Sequence, residues 1–303
     1  MDESLLATPV MVPGGRGCLA GVLGRHLAAQ GARVTQLSRT SGDGFLDLED
    51  FLAGRVAAPG GALLHLAWST VPYTAEPAGD ADQTANLALL DRVLARLAAE
   101  PVGKRPHLVF FSSGGGVYGD ARPDRPHRED DPCAPIGRHG QAKLAAERRL
   151  AQASAEFGLS WTILRVSNPY GFPVPAQRAQ GIIPIAIHAA RTGRPLTLWG
   201  DGTARKDFLH HSDFCRAVGL VIQRRPAGIF NVCSGESHSV AEIIALVEQA
   251  TGRALALTRV PAQPWDVHNS HLDGAKLRAA TGWQPLMSLA EGIRRTAADL
   301  SSP

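Results

Sequence analysis

The stretch Pro9-Val10-Met11-Val12-Pro13-Gly14-Gly15-Arg16-Gly17-Cys18-Leu19-Ala20-Gly21 decides the fold. A short apolar run, Val10 to Val12, leads into a glycine loop and then into a helical pattern. Gly14 and Gly17 occupy the first two positions of a G-x-x-G-x-x-G loop, and Ala20 takes the third. Missing side chains there permit a tight turn and the close approach of a pyrophosphate to a helix N-terminus. The segment therefore reads as the opening strand, phosphate loop and first helix of a dinucleotide-binding unit.

Outward from it, apolar runs alternate with helical patterns. Strands are expected at about Pro9–Val12, Arg33–Leu37, Ala62–Leu66, His107–Phe111 and Trp161–Leu164, and helices at about Leu19–Gln30, Asp82–Glu100 and Gly140–Phe157. This alternation predicts an α/β fold, a Rossmann-type doubly wound parallel sheet. After Arg165 the texture changes to a Pro-, Gly- and Gln-rich loop (Pro169–Gly181). Helices follow at about Ile182–Thr192, Ser212–Arg224, Ser239–Thr251 and Leu289–Leu300, with short strands near Ile229–Val232 and Ala256–Arg259. The expectation is a smaller C-terminal α/β substrate lobe over the carboxyl ends of the sheet. Residues 1–168 with about 208–236 would form the dinucleotide-binding domain, and about 169–207 with 237–303 the lobe.

Composition narrows the partners. Of 303 residues, 44% are hydrophobic and 19% charged, which fits a globular chain. Net charge is +3 and 27 of the 31 basic residues are arginines spread along the chain, so nucleic acid is not an expected partner. Cys18, Cys133, Cys215 and Cys233 form no C-x-x-C pair and suggest neither a disulfide framework nor a zinc site. Met1–Pro13 carries two acids and no base before Arg16, the wrong pattern for a signal peptide. No apolar run approaches the roughly 20 residues a membrane helix needs. A cytoplasmic protein without metal or membrane contact is expected.

The end of the second strand bears on which dinucleotide binds. Leu37 is followed by Ser38 and Arg39, with no acid until Asp43. An acid there would accept from the ribose hydroxyls of NAD, whereas a 2′-phosphate needs a cation. NADP is favoured over NAD, the alternative being that Arg39 is a solvated loop residue. Asp47-Leu48 could meet the adenine edge, or begin a short acidic helix with Glu49 and Asp50.

Further segments recur in a defined order. They are His65-Leu66-Ala67, Asn86, Ser112-Ser113-Gly114-Gly115-Gly116-Val117-Tyr118-Gly119, Arg165 through Gly171, Trp199-Gly200-Asp201-Gly202-Thr203, Lys206-Asp207-Phe208, and Leu272-Asp273 through Gly282-Trp283-Gln284-Pro285. With the glycine loop, their order and spacing resemble the extended short-chain dehydrogenase/reductases, the UDP-glucose 4-epimerase-like nucleotide-sugar epimerase/dehydratase family, over nearly the whole chain. The resemblance implies that Gly14, Gly17, Ser38, Arg39, Asp47, Leu48, Ala67, Asn86 and Lys143 bind the cofactor. It implies that Ser113, Asn168, Lys206 and Asp266 meet a nucleotide-diphosphate sugar.

In that family a Tyr-x-x-x-Lys pair and a Ser or Thr do the proton chemistry. Here Tyr73, Tyr118 and Tyr170 are the only tyrosines, and none has a lysine four residues later. The matching place reads His139-Gly140-Gln141-Ala142-Lys143, so the lysine is kept and tyrosine has become His139. The usual Ser/Thr position is Gly114, which leaves Ser113 as the hydroxyl nearest in sequence. Three readings of His139 stand. It replaces tyrosine as acid/base, with a water in the space left by Gly114–Gly116 relaying the proton. Alternatively the fold binds cofactor and sugar nucleotide with little turnover, or His139 is an exposed residue at a helix start.

The resemblance thus implies an NAD(P)-dependent nucleotide-sugar epimerase or 4-keto-sugar reductase transferring hydride at a sugar carbon, C4. Its alternative is a catalytically degenerate binding protein. Lys206 matches a basic position facing the diphosphate, while the second phosphate cation, three residues before Asp266, is here Gln263. The helices near 82–100 and 140–157 either pack only against the core or also form a homodimer interface. His210-His211 and His268-x-x-His271 lack partners at metal spacing, and Trp68 and Trp199 read as core or pocket walls.

Overall fold

The computed structural model of the chain describes residues 5–122, 125–174 and 181–299. The first half contains β1 (Pro9–Pro13), α1 (Cys18–Ala29), β2 (Arg33–Ser38), β3 (Phe45–Asp47), α2 (Leu48–Leu52), β4 (Ala62–His65), α3 (Pro72–Ala98), β5 (His107–Ser113), α4 (Gly114–Tyr118) and α5 (Arg138–Phe157). There follow β6 (Trp161–Val166), β7 (Asn168–Tyr170), α6 (Ile182–Thr192), β8 (Leu196–Trp199), β9 (Arg205–His210), α7 (His211–Arg224), β10 (Gly228–Val232), β11 (Ser237–Ser239), α8 (Val240–Thr251), β12 (Leu257–Val260), α9 (Ala275–Thr281) and α10 (Leu289–Asp299).

Among the described residues, seven strands form one parallel sheet in the order β10-β6-β5-β4-β1-β2-β3. Side chains alternate between its faces because successive Cβ atoms of a strand point oppositely. Val10 and Val12 join Val109 and Leu164 under α1 and α7, with Leu23, Leu27, Phe214 and Val218 closing that layer. Met11, Leu63, Leu108, Phe110 and Ile163 face the other way, under Leu90, Val93 and Leu97 of α3 and Leu150 of α5. Both faces are covered, which is why the central strands read as nearly continuous apolar runs.

The strand order reverses between β1 and β4, and such a switch point opens a crevice at the carboxyl ends of the strands. A second lobe packs around its own apolar cluster. It holds a three-stranded sheet, β11-β9-β7, and a parallel pair, β12-β8, with α6, α8 and α10 packed around Ile183, Ile187, Leu198, Ile243 and Ile293. Helix α8 starts on a reciprocal cap: Ser239 Oγ accepts from Glu242 N at 3.1 Å, and the Glu242 carboxylate accepts from Ser239 N at 2.6 Å.

Helix α3 departs from the expected Asp82 start and begins at Pro72. Pro72, Pro77 and Gly79 read as breakers, yet Pro is tolerated in a first helical turn, and Thr74 Oγ1 accepts from the Val71 N–H at 3.0 Å. The break is confined to Gly79, whose φ of 70° and ψ of −158° kink the helix between a leading segment, Pro72–Gly79, and the long remainder. The short elements β3, α4, β7, β8, β9, β11 and α9 were not expected either. Of the loop expected at Pro169–Gly181, the start pairs with β9 as part of β7, and residues 175–180 lie outside the described residues, as does Leu300. Among the described residues no helix is long and apolar enough to cross a membrane.

Candidate active site

The glycine loop joins β1 to α1 at the switch point. Gly14 has φ 88°, and a Cβ there would stand 2.7 Å from Ala67 N, so only glycine lets the loop lie against the end of β4. The N–H groups of Gly14 and Gly15 both donate to Leu37 O, at 3.1 and 2.9 Å, which ties the loop to β2. Gly17 begins α1 without a side-chain cap and no acid lies in the first turn, leaving an N-terminus suited to an anion; Ala20 is buried behind it. Across the crevice, Asn86 Oδ1 accepts from Ser69 N at 2.9 Å and from Ser69 Oγ at 3.1 Å, while its buried Nδ2 has no partner. The open helix start, the glycine cradle and this orphaned donor fit a bound dinucleotide.

At the end of β2, Ser38 is buried and Arg39 exposed. The sequence reading missed Arg16. Its Nε donates to Ser38 Oγ at 3.1 Å and its guanidinium lies 4.4 Å from the centre of the Phe45 ring, so two cations flank this corner. Of the two explanations for Asp47-Leu48, the structure shows the helix start. Asp47 caps α2 by accepting from Glu49 N at 2.7 Å, and the Leu48 side chain is buried in the core beside Phe51.

His139, Lys143 and Glu147 repeat every four residues, so they line one face of α5, the face turned to β5 and β6. His139 is 8% exposed, which overturns its reading as an exposed helix-start residue. Its Nδ1 is buried without a partner, and burial, seconded by the Lys143 ammonium, pushes the imidazole down to about 3. Lys143 is 6% exposed. Its Nζ donates to Phe111 O at 2.8 Å and lies 3.8 Å from the Trp68 ring centre and 4.9 Å from that of Phe110. Burial pushes this ammonium down to about 7, with Glu147 opposing. Glu147 is held by Arg165, Nη2 to Oε2 at 2.7 Å and Nε to Oε1 at 3.1 Å, and by Ser112 Oγ at 2.5 Å. Trp68, expected as a core or pocket-wall residue, lies over Lys143, whereas Glu147 was not singled out; its i+4 spacing from Lys143 was the available signal.

Ser113 Oγ accepts from Gly116 N at 3.2 Å and caps α4. The glycine run beside it does not leave the open space expected for a relaying water. A Cβ at Gly114 would stand 2.3 Å from Leu272 Cδ1, and one at Gly140 would stand 2.0 Å from Gly116 O. Close packing of Leu272 and of the α5 backbone has consumed the volume the missing side chains released. Tyr118 cannot substitute as a base: its hydroxyl donates to Asn231 Oδ1 at 2.9 Å, and burial drives its pKa upward.

In the second lobe, Asn168 Nδ2 donates to Asp207 O at 2.8 Å. Lys206 Nζ donates to Asp266 Oδ1 at 2.8 Å and also to the Val267 carbonyl, so these two expected substrate residues are paired with each other. Trp199 packs 5.2 Å from Tyr73 of the leading segment of α3 and 6.5 Å from Trp265. Three histidines of the expected pairs serve the framework: His210 Nδ1 meets Ser212 Oγ at 2.8 Å, His268 Nε2 meets Thr203 Oγ1 at 3.2 Å, and His271 Nε2 meets Gly235 O at 3.1 Å. Among the described residues no group of three His, Cys, Asp or Glu is placed to hold a metal.

Comparison with known proteins agrees with this geometry. A UDP-glucose 4-epimerase from Azospirillum brasilense is 34% identical over 207 residues, covering 62% of this chain and 59% of that protein. The chain thus spans about three fifths of that relative's length. A dTDP-6-deoxy-L-talose 4-dehydrogenase (NAD(P)(+)) from Kitasatospora kifunensis is 29% identical and is covered over 93% of its length, against 94% of this chain. The crystal structure of a Thermus thermophilus UDP-glucose 4-epimerase in complex with NAD superposes with a TM-score of 0.82 at 27% identity, over 96% of this chain and 98% of that one. The sequence profile of the NAD dependent epimerase/dehydratase family matches residues 10–233. With that match over most of its length, on a seven-stranded parallel sheet whose glycine loop sits at the switch point, the chain belongs to the NAD dependent epimerase/dehydratase family.

Proposed function

We propose that this protein is an NAD(P)-dependent nucleotide-sugar epimerase or 4-keto-sugar reductase acting at C4 of the sugar, with His139 as its acid/base. The observation that carries the reading is His139 itself: a buried, neutral imidazole with an unpartnered Nδ1, one helical turn from Lys143 at the place where the family has its tyrosine. Gly14, Gly17 and the start of α1 would hold the pyrophosphate, Ala67 and Asn86 the wall beside it, and Lys143 the nicotinamide ribose. Ser38, Arg39 and Arg16 favour NADP, since two cations border the place for a 2′-phosphate, and Arg16 would leave the Asp43 carboxylate, 3.5 Å from its Nη2, to meet that phosphate. The bound dinucleotide supplies or accepts the hydride. In the oxidative direction a ring nitrogen of His139 takes the proton of the sugar hydroxyl, and in the reductive direction it returns a proton to that oxygen. Ser113 steadies the oxygen, while Asn168, Lys206 and Asp266 hold the nucleotide, Lys206 leaving Asp266 for the diphosphate.

A specific observation favours the second reading, a binding protein with little turnover. The Leu272 methyl occupies the place of the missing Gly114 side chain, and a base held near pKa 3 is weak. Purified protein is incubated with NADPH or NADH and a panel of 4-keto and 4-hydroxy nucleotide sugars. Turnover with preference for NADPH is expected; tight cofactor binding without turnover would favour the binding protein, and equal affinity for the two cofactors would refute the role given to Arg39.

A further inference from the structure

Helix α5 begins at Arg138 with no cap of its own, because the residue before it is Gly137. The missing acceptor comes from another element. Glu76, on the leading segment of α3, accepts from the Arg138 backbone N–H at 2.6 Å, and its other oxygen lies 3.4 Å from Arg138 Nε. Arg138 is further clasped to Asp80, just past the Gly79 kink. The fit is tight: a Cβ on Gly137 would stand 3.0 Å from Glu76 Oε1 and 3.1 Å from Trp265 O. Glu76, the start of α5 and the Trp265 segment thus meet at one point, and they line a cavity of about 460 Å³ with Ile136, Gln141 and Pro264. The residue after Arg138 is His139.

We propose that Glu76 is a positioning residue for His139: its carboxylate caps α5 in place of the absent side-chain cap, and so keeps the first helical turn wound and the imidazole seated inside the crevice. The proposal rests on the acid/base role given to His139 for its catalytic consequence, but not for its structural one. A helix start without an acceptor frays, since its first N–H groups have no intrahelical partners. Fraying here would swing His139 into water. The leading segment carrying Glu76 is linked to the main body of α3 through the kink at Gly79, and it touches the substrate lobe through Tyr73 and Trp199. The segment is therefore coupled to the turn that carries His139 through the two Glu76 contacts to Arg138, the backbone N–H bond and the ion pair.

Two effects of removing Glu76 have opposite signs. Losing its negative charge alone would make protonation of His139 harder, whereas unseating the ring would hydrate it and make protonation easier. The charged group that acts on His139 is Lys143 on its own helix, while Glu76 and its partner Arg138 stand at the cap one residue before it. The test follows the His139 ring by NMR against pH in wild type, Glu76→Gln, Glu76→Ala and Glu76→Ser, with His139→Gln to assign the signal. Gln keeps a carbonyl acceptor for the Arg138 N–H; Ala has none and Ser is too short to reach. In wild type and Glu76→Gln the ring stays neutral down to about pH 5, while in Glu76→Ala and Glu76→Ser it titrates near the ordinary value of about 6.5. With substrate, Glu76→Ala lowers kcat about tenfold or more while cofactor affinity holds within about twofold, because a misplaced acid/base weakens the chemical step without touching the glycine loop. A ring that stays neutral in both truncated variants overturns the proposal, as does an equal change in Gln and Ala. If no variant, wild type included, turns over any sugar nucleotide, the acid/base reading fails while the titration still decides the cap.

Discussion

Gly114 packs against Leu272, and this contact makes a serine at 114 far from neutral. Glycine at 114 admits the Leu272 side chain, so serine at that position must displace a fully buried methyl group. Gly114→Ser is expected to destabilise the fold by about 1–3 kcal/mol, the range for overpacking. Leu272→Ala should recover much of that loss in the double variant, as read by urea unfolding; additive losses would contradict the steric account. Lys143 gives a pH signature. Its folded pKa of about 7 lies below the ordinary 10.5, so between these values the unfolded chain holds a proton that the folded chain has released. Stability from this residue therefore rises with pH across about 7 to 10.5, and its penalty is fully present below about 7. Lys143→Met should be more stable than wild type at pH 6, with the gain shrinking toward pH 10; a gain independent of pH would contradict the burial account.

At the scale of elements, α5 is fixed to the sheet by the Glu147–Arg165 pair, with both side chains under 5% exposed. Arg165 also lies 4.7 Å from the centre of the Tyr118 ring, so the pair joins α5, β6 and α4. Removing one partner of a buried pair strands the other charge, and Arg165→Met is expected to cost about 3–5 kcal/mol in urea unfolding. A loss under about 1 kcal/mol, the size of an exposed pair, would contradict it. The central strands and α1, α5 and α6 were legible in the sequence because their apolar periodicity is set by burial on a sheet face. The leading segment of α3 was not, because Pro72, Pro77 and Gly79 carry turn signals and its helix is held by tertiary contacts to Trp199 and Arg138. The strands β7, β9 and β11 were hidden for a different reason: they are short, and β9 carries Arg205, Lys206 and Asp207 at the very positions where a strand signal is sought.

For the whole molecule, α3 and α5 bury their apolar stripes in the core, and their outward faces show Thr84, Ala85, Ala88, Gln141 and Arg148. We propose that these faces form a homodimer interface. Light scattering should give twice the 32.1 kDa chain mass for wild type, and Ala88→Arg should give a monomer; a monomeric wild type would contradict the placement. The candidate site was legible where motif order fixes it, at the glycine loop, Asn86 and Lys143. Arg16 and Glu76 were not, since each reaches the site from a segment whose approach only the folded chain reveals. The acid/base role of His139 is read by deuteride transfer. Protein is supplied with NADPH deuterated at the transferable position and a 4-keto nucleotide sugar, and deuterium at C4 of the product is followed by mass spectrometry. Wild type should label C4, His139→Ala should slow labelling by about 10²- to 10⁴-fold, the usual worth of general acid–base catalysis, and His139→Tyr should retain it. Labelling in His139→Ala at the wild-type rate would contradict the central claim.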